Sequence, residues 1–352
     1  MFFSPDGSSH NLRSITYDAL SQFVSFTAGD TFPVLIQLIE VMLQRLESSV
    51  SASATAPSAE NQELQSNLCI VLQALTRKLR LHVQPYADRM MTVYLHMFSN
   101  TTSGKQATIQ EDALTAAASL IAAIGSDFMR YLPAFVPFVC QALQNTSEAS
   151  LCQIGVGIVG DLARNLGEAI EPFCNQLMTL LLQALQSNTL HRSVKPTVIA
   201  AFGDVAVAIK GGFAPYASVC FEVLRQAAQV PANPDNYEQH EYVGQLREGI
   251  LEGYSGIVQG TKDVQLLVPQ AEFMLVFMAD SFNAFHYDSM VQNVVALLGD
   301  LCDVCGSTIA PLLKQHNEWI KSALRRARAS NNPQSKELAG WTNSKFQKAL
   351  SG

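Results

Sequence analysis

The chain has 352 residues, of which 48% are hydrophobic and 15% charged, so it is long and apolar enough to bury an extensive core. Its formal net charge of −7, from 23 basic and 30 acidic side chains, argues against nucleic acid as a main partner. No signal peptide is recognisable at the start, and no run approaches the roughly 18 uncharged apolar residues of a membrane span. We therefore expect a soluble protein that does not act on a membrane.

A recurring phrase divides the chain into similar units. Its clearest copies begin with Gly160-Asp161, Gly203-Asp204 and Gly299-Asp300, and each has an apolar residue ten positions after the glycine and a proline twelve positions after it. In chain order the copies start at Gln22, Gln73, Ala118, Gly160, Gly203, Ser255 and Gly299. These starts are 42 to 52 residues apart, close to the period of HEAT and armadillo repeats.

The fourth unit illustrates the predicted elements. Apolar residues recur at steps of three and four between Leu151 and Leu166, which predicts an amphipathic first helix. Gly167 marks a break, and Pro172 stands in the first turn of a second helix predicted over 171–185. The pattern predicts an all-α HEAT-repeat solenoid of about seven helix pairs plus a terminal helix, continuous over 1–352. We expect flexible loops at 48–62, 100–112 and 230–243, where polar and small residues interrupt the apolar pattern.

Three aspartates occupy one repeat position inside apolar helices: Asp161, Asp204 and Asp300. A buried carboxylate is costly without hydrogen-bond partners. We expect each to accept hydrogen bonds from backbone N–H groups, or from a basic side chain of the turn or of the next repeat. Such a structural ladder would fix the stacking of the repeats.

No motif for catalysis or for phosphate binding is present, so we expect neither an enzyme nor a bound cofactor. The seven cysteines are an odd number and lie mostly in apolar runs, which indicates reduced, buried thiols in the cytosol or nucleus. Cys302 and Cys305 form a C-x-x-C pair, but no second pair or nearby histidine supports zinc. His191 lies at the start of a helix and is expected to cap it or to pack there rather than to act in catalysis.

Several phrases resemble the carboxyl-terminal portion of the importin-beta (karyopherin-beta) family of nuclear import receptors. They include "NLRSITYDAL", "HRSVKPTVIAAFGDVAVAIKGGFAPY" and the closing "ELAGWTNSKFQKAL". The resemblance is collinear from about Asn11 to Leu350. It implies that this chain is the last part of a longer receptor.

The resemblance also implies partners. Second helices would line a concave surface that binds the basic helix of importin-alpha or a similar adaptor, and first helices would form a convex surface with slots for Phe-Gly nucleoporins. Ran GTPase would release cargo, mainly through amino-terminal repeats that this chain lacks. The receptor would move between cytoplasm and nucleus through the nuclear pore.

Candidate binding residues follow from that layout. Acidic side chains on the second helices would face a basic partner, and tryptophans would anchor it. The candidates are Glu40, Glu47, Glu171, Glu222, Glu272, Asp280, Glu318, Trp319 and Trp341. Each could equally be a solvated helix charge or, for Trp341, part of the end of the solenoid. Slots for Phe-Gly peptides are expected on the first helices around 113–124, 194–208 and 246–258.

Two other functions remain open from sequence. A HEAT scaffold of another class, such as a phosphatase regulatory subunit, would bind partners at turns within the repeats. An enzyme that uses Cys302 and Cys305 would need a reactive, low-pKa thiol.

Overall fold

The computed structural model describes residues 10–55, 58–100, 107–233 and 235–351, and in these ranges the backbone forms sixteen α-helices and no β-strand. In chain order they are α1 His10–Phe26, α2 Phe32–Thr55, α3 Ala59–Leu79, α4 Ala87–Asn100, α5 Ala107–Ile124, α6 Leu132–Gln144, α7 Ala149–Leu166, α8 Glu171–Gln186, α9 Lys195–Ile209, α10 Ala214–Ala228, α11 Tyr237–Thr261, α12 Val264–Ala284, α13 Asp288–Cys305, α14 Ala310–Gln315, α15 Asn317–Ala329 and α16 Pro333–Ser351. The helices come in the predicted pairs, followed by the predicted terminal helix.

The chain divides into two compact units, Met1–Leu166 and Gly167–Gly352. In the first unit, the first helices α1, α3, α5 and α7 pack side by side, and the second helices α2, α4 and α6 pack against them. In the second unit, α9, α11, α13 and α16 form such a row, and α8, α10, α12 and α15 pack against it. This arrangement confirms the predicted all-α HEAT-repeat class. That 1–352 is one continuous solenoid stays a prediction.

The predicted apolar stripes form the core. Leu151, Ile158 and Leu162 of α7 are each at most 2% exposed. The prolines predicted at the starts of second helices stand in the first two positions of α6, α8, α10 and α14. There the missing N–H of proline breaks no helical hydrogen bond.

Each first helix from α3 to α13 ends at a residue with positive φ, seven positions after the start of the repeat phrase. These residues are Arg80, Gly125, Gly167, Lys210, Lys262 and Gly306, with φ between 48° and 55°. In five of these six connections the sharp turn leads into a short 3-10 segment and then into the second helix, whereas after Lys262 helix α12 starts directly at Val264. Glycine adopts this conformation at little cost, whereas Arg80 and Lys210, with ψ of −127° and −122°, are strained.

In the part of the chain that the structure describes, three helical stretches have the length and hydropathy of a membrane span: Thr108–Gln144, Arg192–Ala228 and Asp288–Gln315. Each contains a first helix, its turn and a second helix rather than one straight rod. More than half of each apolar segment is buried inside the protein, at 61%, 56% and 56%. Packing between helices therefore accounts for much of the apolar character that a membrane would otherwise have to cover.

Parts of the three segments that the sequence predicts as loops are helical in the structure. Helix α2 continues to Thr55 and α3 starts at Ala59, so most of 48–62 is helical. Serine and alanine are compatible with a helix, and Ser58 caps α3 by accepting a hydrogen bond from the Asn61 backbone. Residues 107–112 belong to α5, and 101–106 lie outside the described residues. Of 230–243, the described residues before Tyr237 are non-helical, and the rest starts α11.

Candidate peptide-binding surfaces

A cavity of about 560 Å³ lies in the first unit, between the first helices α3, α5 and α7. Its lining residues are Thr76, Arg77, Arg80, Thr115, Ala118, Ser119, Ala122, Ala123, Ile154, Gly157, Ile158 and Asp161. The central wall is α5, which covers the predicted slot region 113–124. The cavity therefore lies among the first helices, where the sequence predicts slots for Phe-Gly peptides.

Small side chains create this space. Ala118 and Ala122 are one turn apart on α5, and a Cβ placed on Gly157 of α7 would have no atom within 4 Å. Ile154 and Ile158 supply an apolar surface, and Arg77 and Arg80 are exposed at the edge. The cavity thus combines an apolar lining with a charged rim, as ligand sites commonly do.

The other two predicted slot regions are packed differently. Around 194–208 and 246–258, helices α9 and α11 approach so closely that their backbones touch. A Cβ on Gly249 would lie 2.5 Å from the Pro196 carbonyl oxygen, and one on Gly203 would lie 2.8 Å from the Glu252 carbonyl oxygen. Glycine-mediated contact fills the groove between these helices instead of leaving a slot.

Asp300 is 8% exposed and links two successive first helices. Its carboxylate on α13 accepts hydrogen bonds from Ser255 Oγ and from Gln259 Nε2, at 2.9 Å for the latter, both on α11. Burial raises the pKa of Asp300, and the two hydrogen bonds oppose that rise. The donors are neutral side chains of the preceding repeat, rather than the backbone or basic groups expected from sequence.

The other two aspartates differ from Asp300. Asp161 is half-exposed and forms an ion pair of 2.9 Å with Arg164, three residues along the same helix. The residues of the preceding repeat that correspond to Ser255 and Gln259 are Ala118 and Ala122, which carry no donor. Asp204 lies half-buried on α9. Burial raises the pKa of Glu252 on α11, a hydrogen bond from Asn293 opposes that rise, and charge repulsion from Glu248 and then from Asp204 adds to it.

The acidic candidates separate into paired and unpaired groups. Glu40 and Glu47 on α2 both bind Arg89 of α4, at 2.8 and 2.9 Å. Glu171, in the first turn of α8, lies against Gly212, where a Cβ would be 2.8 Å from its carboxylate. Glu40 and Glu47 are thus ion-paired between α2 and α4, whereas Glu171 is exposed and only packs against the turn that contains Gly212.

The remaining acidic candidates are exposed on second helices of the second unit. Glu222 of α10 accepts a hydrogen bond of 2.9 Å from Gln226, one turn later. Glu272 and Asp280 are exposed on α12, and Glu318 is exposed in the first turn of α15. Within the described residues, none of these four forms an ion pair.

The two tryptophans have local partners. Trp319 Nε1 donates a hydrogen bond of 2.9 Å to His316 Nδ1. Trp341 of α16 packs its ring on Gly299 of α13, which leaves no room for a Cβ there, and it remains 37% exposed. The side-chain nitrogen of Lys345 lies 5.9 Å from that ring. Trp341 thus packs the terminal helix α16 against α13, and part of its ring remains accessible to solvent.

The cysteines give no sign of a reactive site. All seven are buried and unbridged. Burial raises the pKa of Cys302 to about 12 and that of Cys305 to about 11, opposite to what a nucleophilic thiol needs. No cluster of metal-ligating side chains occurs among the described residues. His191 accepts a hydrogen bond from the Ser193 backbone and caps the turn before α9.

The sequence predicted a slot on α5, where this cavity lies, but it did not single out the residues that shape the cavity. Gly157, Arg77 and Arg80 were not candidates, since none stands at the first, apolar or proline position that defined the recurring phrase. One signal was available for Arg80: it occupies the position where three other units have glycine.

Comparison with known proteins gives consistent results. A family model described as importin subunit beta-1-like, TPR repeats, matches residues 4–328. Importin subunit beta-1 of Arabidopsis thaliana is 34% identical over 98% of this chain and 41% of its own length. A crystal structure of importin beta matches with a TM-score of 0.91 at 32% identity, over 98% of this chain and 42% of that one.

A structure of a Kap95:Nup1 complex matches with a TM-score of 0.84 at 25% identity, over 97% of this chain and 40% of that one. This chain spans about two fifths of the length of the curated relatives it matches.

Proposed function

This chain belongs to the importin subunit beta-1-like family, and from that membership we propose that it is a nuclear transport receptor segment whose cavity between α3, α5 and α7 binds Phe-Gly nucleoporin repeats. The cavity is the observation that carries the proposal. Its volume of about 560 Å³ lies in the range of ligand pockets. Its lining by Ile154, Ile158 and small side chains suits a single aromatic ring.

The chemistry of a Phe-Gly peptide matches this lining. A phenylalanine ring gains free energy when it leaves water for an apolar cavity. The adjacent glycine has no side chain, so the peptide backbone can approach the small residues of α5 and α7. Nup1, a nucleoporin, is bound in one of the structures that this chain resembles.

The proposal extends to cargo. Glu222, Glu272 and Asp280 are exposed on second helices and are available to a basic adaptor helix of the importin-alpha type. Ran GTPase would regulate that exchange in a full-length receptor of this family. Such a receptor would shuttle between cytoplasm and nucleus, and its role would be binding rather than catalysis.

The test is to fill the cavity. Gly157→Leu places a side chain in the open space beside Ile154 without displacing the backbone. The full chain and the variant are titrated with a fluorescent peptide of Phe-Gly repeats, and with a peptide in which serine replaces phenylalanine. We expect the variant to bind the Phe-Gly peptide about tenfold more weakly, because the ring no longer enters the cavity.

Gly340→Leu is the matched control, since Gly340 is also a helical glycine with nothing within 4 Å of its Cβ position and lies on α16. It should bind as the unaltered chain does. Equal affinity of both variants for the Phe-Gly peptide, or equal binding of the serine peptide, would contradict the assignment of this cavity.

A further inference from the structure

The carboxyl-terminal region reverses the charge of the rest of the chain. Between residues 314 and 336 there are six basic side chains and one acidic, whereas the remainder has 17 basic and 29 acidic. Most of this positive charge is on α15, which has Lys321, Arg325, Arg326 and Arg328 against one acidic residue, Glu318.

Three of these cations form a stripe. Lys321, Arg325 and Arg328 are four and three residues apart, so they lie on one side of the helix, and all three are exposed. None of them forms an ion pair within the described part of the chain. We call them the basic stripe.

Arg326 is not part of the stripe. It donates a hydrogen bond to the His286 backbone carbonyl, and its guanidinium lies 5.9 Å from the centre of the Phe282 ring. This contact attaches α15 to the end of α12. Arg326 therefore has a structural role within the protein. The three residues of the basic stripe have no such ion pair or contact in the described part of the chain.

The opposite side of α15 is already occupied. Ile320, Ala323, Leu324 and Ala327 are buried against neighbouring helices of the same unit. An amphipathic helix that inserts into a membrane needs that apolar side free. The basic stripe can therefore attract an anion at the surface, but α15 cannot bury itself in lipid without leaving the protein.

The stripe is also short. From Lys321 to Arg328 the helix rises about 10 Å, which an extended peptide covers in about three to four residues. A long polyanion such as RNA would continue past the stripe onto a surface that is acidic overall and would be repelled there.

We propose that the basic stripe is a docking surface for a short acidic peptide segment, with aspartate or glutamate side chains, of a partner protein. Carboxylates pair well with arginine, whose guanidinium can donate two parallel hydrogen bonds to one carboxylate. Helix α12, which packs against α15, exposes Glu272 and Asp280. Helix α12 would therefore attract a basic segment, whereas the basic stripe on α15 would attract an acidic segment and repel a basic one.

The test uses the full chain and a labelled eight-residue peptide of four glutamates alternating with glycines. The variant K321Q/R325Q/R328Q removes the stripe's charge and keeps helix-compatible side chains. We expect saturable binding to the unaltered chain at about 50 mM salt, weaker binding at about 150 mM, and at least about tenfold weaker binding to the variant.

The control variant K262Q/K336Q/K348Q removes three exposed charges outside the stripe, one at the end of α11 and two on α16, so it tests for a simple effect of net charge. It should bind like the unaltered chain. Circular dichroism and the melting temperature confirm that both variants are folded.

Three results would overturn the proposal. One is the absence of peptide binding to the unaltered chain, and another is equal loss of binding in both variants. The third is stripe-dependent binding of an oligouridine or of phosphatidylserine vesicles without binding of the acidic peptide. Because the stripe is remote in sequence from α3, α5 and α7, failure here leaves the Phe-Gly proposal intact.

Discussion

At the scale of single residues, backbone conformation explains features that side-chain chemistry does not. The six turns after first helices share one positive φ, and glycine occupies three of them. Arginine and lysine occupy the other three, where a positive charge at a helix C-terminus interacts favourably with the helix dipole. At Arg80 and Lys210 this favourable interaction is opposed by the strain of the backbone conformation.

Replacing Arg80 by glycine tests that strain. We expect Arg80→Gly to raise the free energy of unfolding by about 1 kcal/mol, because glycine adopts the turn conformation without steric conflict. Arg77→Gly, three residues earlier inside α3, should lower it by about 1 kcal/mol. Urea denaturation of both variants measures the difference. A loss of stability in both would mean that the turn at Arg80 is not strained.

The sequence predicted single residues unevenly. It identified the special position of Asp300, because an aspartate within an apolar helix signals a buried partner. It could not identify Ser255 and Gln259 as that partner, since they are 45 and 41 residues away and meet Asp300 only when α11 packs on α13.

At the scale of helices, glycines decide how closely neighbours pack. Gly249, Gly253, Gly256 and Gly260 lie along one side of α11 and face the backbone of α9. A Cβ on Gly256 would lie 2.5 Å from the Gly203 carbonyl. Helices α9 and α11 are therefore in direct backbone contact, while α5 and α7 leave a cavity.

This contact predicts opposite effects for one substitution at two sites. Gly256→Ala should lower the free energy of unfolding by about 2–3 kcal/mol, because the added methyl group forces α9 and α11 apart. Gly340→Ala, with nothing within 4 Å, should raise it by about 0.5–1 kcal/mol. Thermal and urea unfolding provide the comparison. A stable Gly256→Ala variant would mean that α9 and α11 separate at little cost.

The helices themselves were largely predictable. The three-and-four spacing of apolar residues located the first helices. Prolines located the starts of α6, α8, α10 and α14, whereas Pro269 lies inside α12. Residues 48–55 were wrongly predicted as a loop, because serine and alanine are typical of linkers yet also fit a helix when its flanks pack.

At the scale of the whole molecule, charge is distributed unevenly along the chain. The net charge of −7 combines an acidic majority with a basic region near the carboxyl end. On the second helices of the second unit, Glu222 and Glu272 are exposed and lack ion pairs within the described residues. A basic helix bound there should respond strongly to salt.

That expectation can be measured with a basic helical peptide that represents an adaptor of the importin-alpha type. The double variant Glu222→Lys with Glu272→Lys should bind it about tenfold or more weakly, because attraction becomes repulsion. Glu241→Lys with Glu337→Lys changes the same charge on exposed residues of α11 and α16, and should retain most of the affinity. Similar losses in both would argue for a net-charge effect without a defined site.

By itself, the sequence determined the all-α class, the number of repeats and the family, because these depend on periodic spacing and on phrases that are local in the chain. The tertiary structure alone decided which groove is open and which is closed. Gly157 and Gly256 are both helical glycines, yet one faces empty space and the other a neighbouring backbone. That difference depends on the distance between helices, which is set by contacts between residues that are far apart in the chain.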